Sequence, residues 1–206
     1  MARIDLRVPY AERNRVKQLG ARWDAAAKVW FVPPETDPAP FKMWLPVDPQ
    51  PNVRSSSYLI ATSSRPCWRC RRISQVVGFM LPEGHETIYI GDDPGDETWE
   101  LADEPTLVSY VEWLNAPVAE RMRRDFPLYR LAFSQTTGSH YWMNHCEFCN
   151  VAFGDHETFS EPGQGFLAFT LEDARRIRLS AVQESFLTCC GSYSIGVTLF
   201  DQMRRD

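Results

Sequence analysis

Two copies of a Cys-x-x-Cys pattern constrain this chain more than any other feature of its sequence. Cys67 and Cys70 form the first pair, and Cys146 and Cys149 form the second. A gap of two residues lets both thiolates of a pair turn toward one point, and two such pairs complete the tetrahedral set of sulfurs that Zn²⁺ prefers. Because four thiolates leave no open coordination position, the pattern predicts a structural zinc ion bound by these four cysteines.

Other interpretations of the cysteines and of a nearby histidine stay open. Either pair could be redox-active or simply buried, although a thioredoxin-like site uses a single pair beside a β-α-β pattern. Cys189 and Cys190 are adjacent, and adjacent strand residues point to opposite faces, so they are poor joint ligands. We expect one of them to be buried, with a substitute ligand or a redox thiol as alternatives. His145 could replace a cysteine ligand or contact one, and a histidine on the surface or in packing is the simpler interpretation.

Residues 1–33 have the pattern of a small β-α-β module. Apolar residues alternate with charged ones over 4–8, which is the period of a half-buried strand. Pro9 can open a helix, and Gly20 can end it with a left-handed cap. The apolar run 29–32 predicts a second strand.

Seven prolines lie between positions 33 and 51. Proline fixes φ and lacks the backbone donor, so we predict a linker over 34–57. The stretch 41–45 is too apolar to remain in water and should dock on a flanking module.

Residues 58–206 predict an α+β domain with a mostly antiparallel sheet, a zinc-knuckle pair and short helices. Strands are predicted at 58–62, 75–81, 86–91, 129–134, 139–143 and 185–200. Apolar residues with helical spacing over 107–122 predict two short helices separated by Pro117. A further helix over 171–178 has Thr170 and Asp173 as its expected cap.

Charge is unevenly distributed along the chain, whose formal net charge is −5. Residues 1–33 hold seven Lys/Arg and three acids, whereas the remainder of the chain holds 15 Lys/Arg and 24 acids. Between Arg72 and Arg121 there are eleven acids and no Lys or Arg. Such a segment repels phosphate, so we expect a solvated loop or a surface over 83–120 that meets a basic protein. The acids expected at its exposed turn are Asp92, Asp93, Asp96 and Glu97.

The sequence also bears on location and catalysis. No charge-free stretch reaches the about 20 residues of a spanning helix, and early charges interrupt any apolar signal-peptide region. We therefore expect a cytoplasmic protein without membrane contact, in which cysteines are normally reduced. No G-x-S-x-G, phosphate-binding glycine loop or H-E-x-x-H motif occurs, so a non-catalytic protein is expected before an enzyme of unknown class.

The N-terminal residues resemble a known bacterial domain. Residues 8–12, 17–24 and 28–33, with the motifs L-G-A-R-W-D and K-x-W-x-V-P, resemble a small domain of unknown function. That domain is often attached to conjugative-plasmid primases of the TraC type and to other DNA-handling proteins. The resemblance implies an association with DNA metabolism or mobile elements and assigns no catalytic residue.

Aromatic and basic residues are interleaved in the same module. Trp23, Trp30 and Phe31 could stack on bases beside Arg22 and Lys28, as in proteins that bind single strands. They could equally form the core of a very small module.

A second stretch resembles uncharacterised bacterial proteins. Residues 138–149, followed by Gly154 and Asp155, are similar to a Y-W-x-N-x-C-x-x-C-x-x-x-x-G-D run that pairs with an earlier C-W-x-C. The pairing implies one composite zinc site across the chain. Asn150 stands where the second knuckle often has Gly, so the turn after Cys149 must use Asn, which tolerates positive φ.

These features predict a non-catalytic, zinc-stabilised binding protein of bacterial or mobile-element origin. Its residues 1–33 would contact nucleic acid or a nucleic-acid-handling protein. The alternative is an acidic inhibitor or immunity-type protein that covers a basic partner through residues 83–120, since opposite surface fields speed association.

Overall fold

The computed structural model describes residues 3–25, 29–45, 50–90 and 96–206. Its contacts divide the chain into two compact units, residues 1–49 and 50–206. The predicted linker 34–57 is therefore shared between the two units, because its apolar residues belong to their cores. Phe41 and Trp44 are buried in the core of the first unit, and Val53 is buried in that of the second.

The first unit combines a three-stranded antiparallel sheet with a short helix. Its elements are β1 (Ile4–Leu6), a 3-10 turn (Tyr10–Glu12), α1 (Arg13–Gln18), β2 (Arg22–Asp24), β3 (Val29–Val32) and a second 3-10 turn (Ala39–Phe41). The strand order is β1-β3-β2. The predicted β-α-β pattern thus gains a third strand, β2, whose side chains are mostly exposed and so lack an apolar alternation. Gly20 follows α1 with a φ of 102°, as a left-handed cap requires.

The second unit contains a nine-stranded, mostly antiparallel sheet. In chain order its elements are β4 (Val53–Ser55), β5 (Tyr58–Pro66), β6 (Ile73–Leu81), β7 (Glu86–Ile90), β8 (Glu97–Leu101), β9 (Thr106–Leu114), α2 (Ala116–Asp125), β10 (Tyr129–Phe133), β11 (His140–Asn144), a π-helical turn (His156–Ser160), α3 (Leu171–Arg176), β12 (Arg178–Val182), β13 (Phe186–Ile195), a 3-10 turn (Phe200–Gln202) and β14 (Arg204–Arg205). The sheet order is β14-β12-β5-β6-β9-β13-β4-β7-β8, and β10 and β11 form a separate hairpin.

This architecture confirms the α+β fold class and most of the predicted elements. The six predicted strands correspond to β5, β6, β7, β10, β11 and β13. Thr170 and Asp173 form a capping box at the start of α3. No helix among the described residues has the length and apolar character needed to cross a membrane.

The predicted helix at the start of 107–122 is wrong, because these residues form the central strand β9. Glu112 is an extra residue in this strand: its neighbours Trp113 and Val111 pair with the adjacent residues Cys189 and Cys190 of β13. The bulge breaks the two-residue alternation, so buried residues recur at a helix-like spacing. Pro117 does not split two helices but lies in the first turn of α2, where its missing N–H costs nothing.

A buried hydrogen bond holds the backbone next to this bulge. Tyr110 adopts a φ of 51°, and its backbone amide donates a 2.6 Å hydrogen bond to Oδ2 of Asp155. Asp155 is 1% exposed, so this contact lies within the core of the second unit.

The sheet of the second unit carries a hydrophobic cluster on each face. Adjacent residues of β6, such as Phe79 and Met80, belong to different clusters, as strand geometry requires. The second cluster contains Cys67 and Cys146. On this face Gly78 is needed for close packing, since a Cβ there would lie 2.8 Å from the ring of Phe159.

Candidate metal centre

The structure brings the four predicted cysteines together, although the two pairs are far apart along the chain. The sulfur atoms lie within 4.8 Å of one another. Sγ of Cys67 is 3.7 Å from Sγ of Cys149, and Sγ of Cys70 is 3.6 Å from Sγ of Cys146. Tetrahedral coordination at a bond length of about 2.3 Å places sulfurs about 3.8 Å apart, so the arrangement can hold a metal ion.

The first knuckle, residues 67–72, and the second knuckle, residues 146–151, have the same local geometry. In each, the amide of the residue after the second cysteine donates to the carbonyl of the first cysteine, at 2.9 Å. That residue is left-handed in both cases, Arg71 with a φ of 63° and Asn150 with a φ of 57°. The predicted positive φ of Asn150 is therefore confirmed.

Backbone amides point at the sulfurs. The amide of Cys70 donates to Sγ of Cys67, and the amide of Phe148 donates to Sγ of Cys146, both at 3.5 Å. Such donors stabilise thiolates over thiols. The knuckle turn thus orients the sulfurs and helps to stabilise their thiolate forms.

The electrostatics of the four sulfurs favour a bound cation. Burial opposes ionisation of Cys146, but the amides of Phe148 and Cys149 and the neighbouring sulfurs lower its pKa to about 6. The amide of Val151 favours the thiolate of Cys149, but desolvation and the neighbouring sulfurs raise its pKa to about 11. Successive thiolates therefore resist ionisation, and a divalent cation would remove that repulsion.

The other residues considered as ligands lie apart from the four sulfurs. His145 is 6% exposed, and its Nδ1 lies 3.1 Å from the carbonyl oxygen of Leu128 and 3.0 Å from that of Met143. Its packing role is confirmed. Cys190 is buried as expected for one of the adjacent pair, and burial raises the pKa of its thiol to about 12.

In the first unit, the predicted nucleic-acid residues are divided between the two faces of the sheet. Arg22 and Trp23 are neighbours on β2, so their side chains point to opposite faces. The rings of Trp23 and Trp30 are 5.6 Å apart, and Trp30 packs against the hydrophobic core of the unit. Lys28 lies outside the described residues.

Arg22 shares its face with Phe31, its cross-strand partner. The guanidinium of Arg3 lies 4.2 Å from the ring centroid of Phe31 and forms 2.7 Å ion pairs with Asp5 and Asp24. Arg3 was not among the predicted contact residues. The signal was present, because residues 3 and 5 alternate with the inward-facing apolar residues of β1.

The predicted acidic surface is only partly described. Asp96 and Glu97 are exposed at the start of β8. Two other residues of that set lie outside the described residues: Asp92 and Asp93. Within residues 83–120, Glu86 forms a 2.7 Å ion pair with Arg54, so the charge of this carboxylate is already compensated by a basic side chain.

Comparison with known proteins shows what the first unit is similar to. Residues 3–46 match the family model described as "Domain of unknown function (DUF5710)". The chain is also similar to two proteins of Escherichia coli, each described as "DNA primase TraC". One is 52% identical over 42 residues, which is 20% of this chain and 4% of the primase. The other is 54% identical over 39 residues, which is 19% of this chain and 3% of the primase. No solved structure matches.

Proposed function

We propose that this chain is a non-catalytic binding protein in which the two units have different roles. The first unit contacts nucleic acid or a nucleic-acid-handling protein, and a structural zinc ion stabilises the second unit. The observation that carries the proposal is the likeness of residues 3–46 to a segment found in DNA primases. The chain spans only a few per cent of those primases, so the likeness concerns this module and not primase activity.

The donor set supports zinc. Four sulfurs in a tetrahedral arrangement are typical of zinc or iron–sulfur sites, and zinc needs no further inorganic ligand. When bound, the ion would neutralise the thiolates and tie the two knuckles together; Cys67, Cys70, Cys146 and Cys149 would hold it.

The surroundings of the four sulfurs support a non-catalytic role. Pro66-Cys67-x-x-Cys70 and the triplet His145-Cys146-Glu147 include the residue types of zinc deaminase motifs. In this chain Sγ of Cys146 belongs to the group of four sulfurs, whereas Nδ1 of His145 lies 3.0 Å from the carbonyl oxygen of Met143. Four thiolates also leave no position for the activated water that such chemistry requires.

The outer face of the first sheet is the surface we assign to nucleic acid. Arg22 is paired with Glu35 at 3.5 Å, but the two side chains are 68% and 64% exposed. An ion pair this exposed contributes little, so Arg22 remains available to a phosphate. Phe31 and Arg3 lie on the same face and supply an aromatic ring with a stacked guanidinium.

Replacing Arg22 with Glu should weaken binding of a labelled single-stranded oligonucleotide and reduce its salt dependence. Each lost phosphate contact should reduce the slope of log K against log salt by about 0.7. Fluorescence anisotropy of the full chain between 50 and 200 mM salt, roughly the range over which such contacts matter, measures the slope. Lys42→Glu makes the same charge change at an exposed site elsewhere in the unit. Equal losses in both variants, or salt-independent binding, would contradict a phosphate contact at Arg22.

A second candidate function rests on the position of β8. In the described part of the chain this strand is the last in the sheet, beside β7. Its side chains include exposed Glu97, Glu100 and Leu101, the last at 73%. An edge strand offers backbone hydrogen-bonding groups to a partner, and the two carboxylates would favour a basic one. This geometry supports the inhibitor or immunity-type alternative.

Neutralising the four acids predicted to meet a basic partner should slow association with it without affecting the fold. The variant carries Asn or Gln at Asp92, Asp93, Asp96 and Glu97, and poly-lysine serves as the probe in stopped-flow mixing. Charges at the rim act mainly on encounter, so the association rate should fall steeply as salt rises in the wild type and less in the variant. Neutralising Glu161 and Glu172, which are exposed elsewhere, is the control. An unchanged rate would contradict a role for these four acids in binding a partner.

A further inference from the structure

Two large aromatic side chains are half exposed beside the sulfurs. Trp68 is 49% exposed in the first knuckle, and Phe148 is 48% exposed in the second. The indole Nε1 of Trp68 donates a 3.2 Å hydrogen bond to the carbonyl oxygen of Ala152. This bond fixes the edge of the ring while about half of its surface remains in water. Each knuckle therefore presents an aromatic ring in a defined position.

The first knuckle carries exposed positive charge. Arg69, Arg71 and Arg72 are exposed, and within the described residues none of them forms an ion pair. The second knuckle contributes one exposed carboxylate, Glu147. Arg130 also reaches this knuckle, with a 2.8 Å hydrogen bond to Oδ1 of Asn150.

The positive charge of the first knuckle contrasts with the net negative charge of the second unit. Residues 50–206 contain 14 arginines and 21 acids. Elsewhere in the unit, six arginines are paired with carboxylates: Arg54, Arg65, Arg121, Arg124, Arg176 and Arg178. The arginines of the first knuckle are thus a local cationic region in a unit with net negative charge.

A stacked pair joins the two knuckles. The guanidinium of Arg72 lies 4.7 Å from the ring centroid of Phe148. A cation–π contact of this kind leaves N–H groups of the guanidinium for hydrogen bonds to an anion. The contact depends on both knuckles, so a bound metal ion would fix it.

We propose that Trp68, Arg69, Arg71, Arg72 and Phe148, the knuckle surface, bind single-stranded nucleic acid. Its arginines match phosphates, and its exposed rings match bases that are free to stack. A duplex keeps its bases stacked on one another, so single strands suit these rings better. The inference adds a second contact surface to the proposed function and does not depend on the first unit binding nucleic acid.

The test uses the full, metal-loaded chain and labelled oligo-dT and oligo-rU in anisotropy titrations. Trp68→Ala should weaken binding about 5-fold to 150-fold, the range for one lost base stack. Trp68→Phe keeps a stacking ring and should retain most of the affinity. Arg69→Glu/Arg72→Glu should reduce the salt slope by about 1.4, for two phosphates. Arg175→Glu/Arg204→Glu is the matched control, because both arginines are exposed and the charge change is the same.

The knuckle variants and Arg22→Glu test the knuckle surface and the first unit separately. Metal content and circular dichroism establish that each variant is folded, and the exposed Arg69 and Arg72 carry the test if Trp68→Ala loses its metal. If the knuckle variants bind like the wild type while Arg22→Glu binds weakly, the knuckle inference is overturned and the proposed function stands. If the knuckle variants alone lose affinity, the inference stands and the first unit loses its nucleic-acid role. Binding of poly-glutamate that equals oligonucleotide binding would overturn the inference in favour of an acidic protein partner.

Discussion

Replacing Cys70 or Cys149 with Ser should release the metal ion and unfold the second unit. The wild type should contain about one equivalent of zinc, since the four sulfurs form one tetrahedral set. Zinc sites in finger peptides contribute about 10–16 kcal/mol, which is as large as the whole stability of about 5–15 kcal/mol of a typical domain. A serine hydroxyl is a poor replacement for a thiolate ligand. Elemental analysis and thermal unfolding monitored by circular dichroism measure the two effects.

Cys189→Ser is the matched control for this experiment. It makes the same sulfur-to-oxygen change in β13, outside the group of four cysteines. The control should keep its zinc and unfold close to the wild-type temperature. A wild-type protein that is free of metal, with stability unchanged in Cys70→Ser, would contradict a structural metal site.

The second large effect is a pH dependence that originates at Asp155. Burial raises the pKa of this carboxyl from 3.8 to about 7, although the amide of Tyr110 favours the charged form. Oδ1 has no hydrogen-bond partner among the described residues. The titratable groups that face it are the phenols of Tyr110, Tyr129 and Tyr141, which remain neutral at these pH values. Ionisation of Asp155 therefore places an incompletely solvated charge in the core.

The sign of the effect follows from proton binding. Between pH 4 and 7, approximately, the unfolded chain has released this proton while the folded chain retains it, so stability falls as pH rises. Asp155→Asn stays neutral and can still accept from the Tyr110 amide. Relative to the wild type, the variant should gain about 3 kcal/mol of unfolding free energy between pH 5 and pH 8. Urea unfolding of both proteins at several pH values measures this difference.

Asp173→Asn provides a control with the opposite electrostatics. Hydrogen bonds from the Thr170 side chain lower the pKa of Asp173, so its contribution is complete above its ordinary pKa and is lost only at lower pH. The control should therefore lose a constant amount of stability from pH 5 to pH 8. An Asp155→Asn variant with an equally constant offset would show that Asp155 is ionised throughout this range.

The grouping of the four cysteines could be predicted because it depends largely on local geometry. A Cys-x-x-Cys turn orients two sulfurs by itself, so the sequence needed only to contain two such turns. The meeting of the turns required the long intervening segment to fold into sheet and helix. The positive φ of Asn150 was also predictable, because the bacterial proteins that this stretch resembles often have Gly at the same position.

Other features depended on tertiary structure and were beyond the sequence pattern. The bulge at Glu112 placed buried residues of β9 at helix-like intervals, which led to the wrong prediction of a helix. In the first unit β2 has little apolar character, so its presence, and with it the separation of Arg22 from Trp23, could not be inferred. In both cases the neighbouring strands, and not the composition of the strand itself, determine the structure.

If the four sulfurs bind zinc as proposed, the separation of the two knuckles along the chain would make the stability of the second unit depend on the zinc supply of its surroundings. An unfolded chain presents each knuckle as an isolated pair of sulfurs, and the full set of four exists only after the intervening residues have folded. A bound ion would therefore bind the folded state far more tightly than the unfolded one. If the ion is zinc, each tenfold increase in free zinc above the dissociation constant would add about 1.4 kcal/mol to the unfolding free energy. The lifetime of this protein against proteolysis should consequently follow the free zinc concentration, and chelation would shorten it without any change in the amino-acid sequence.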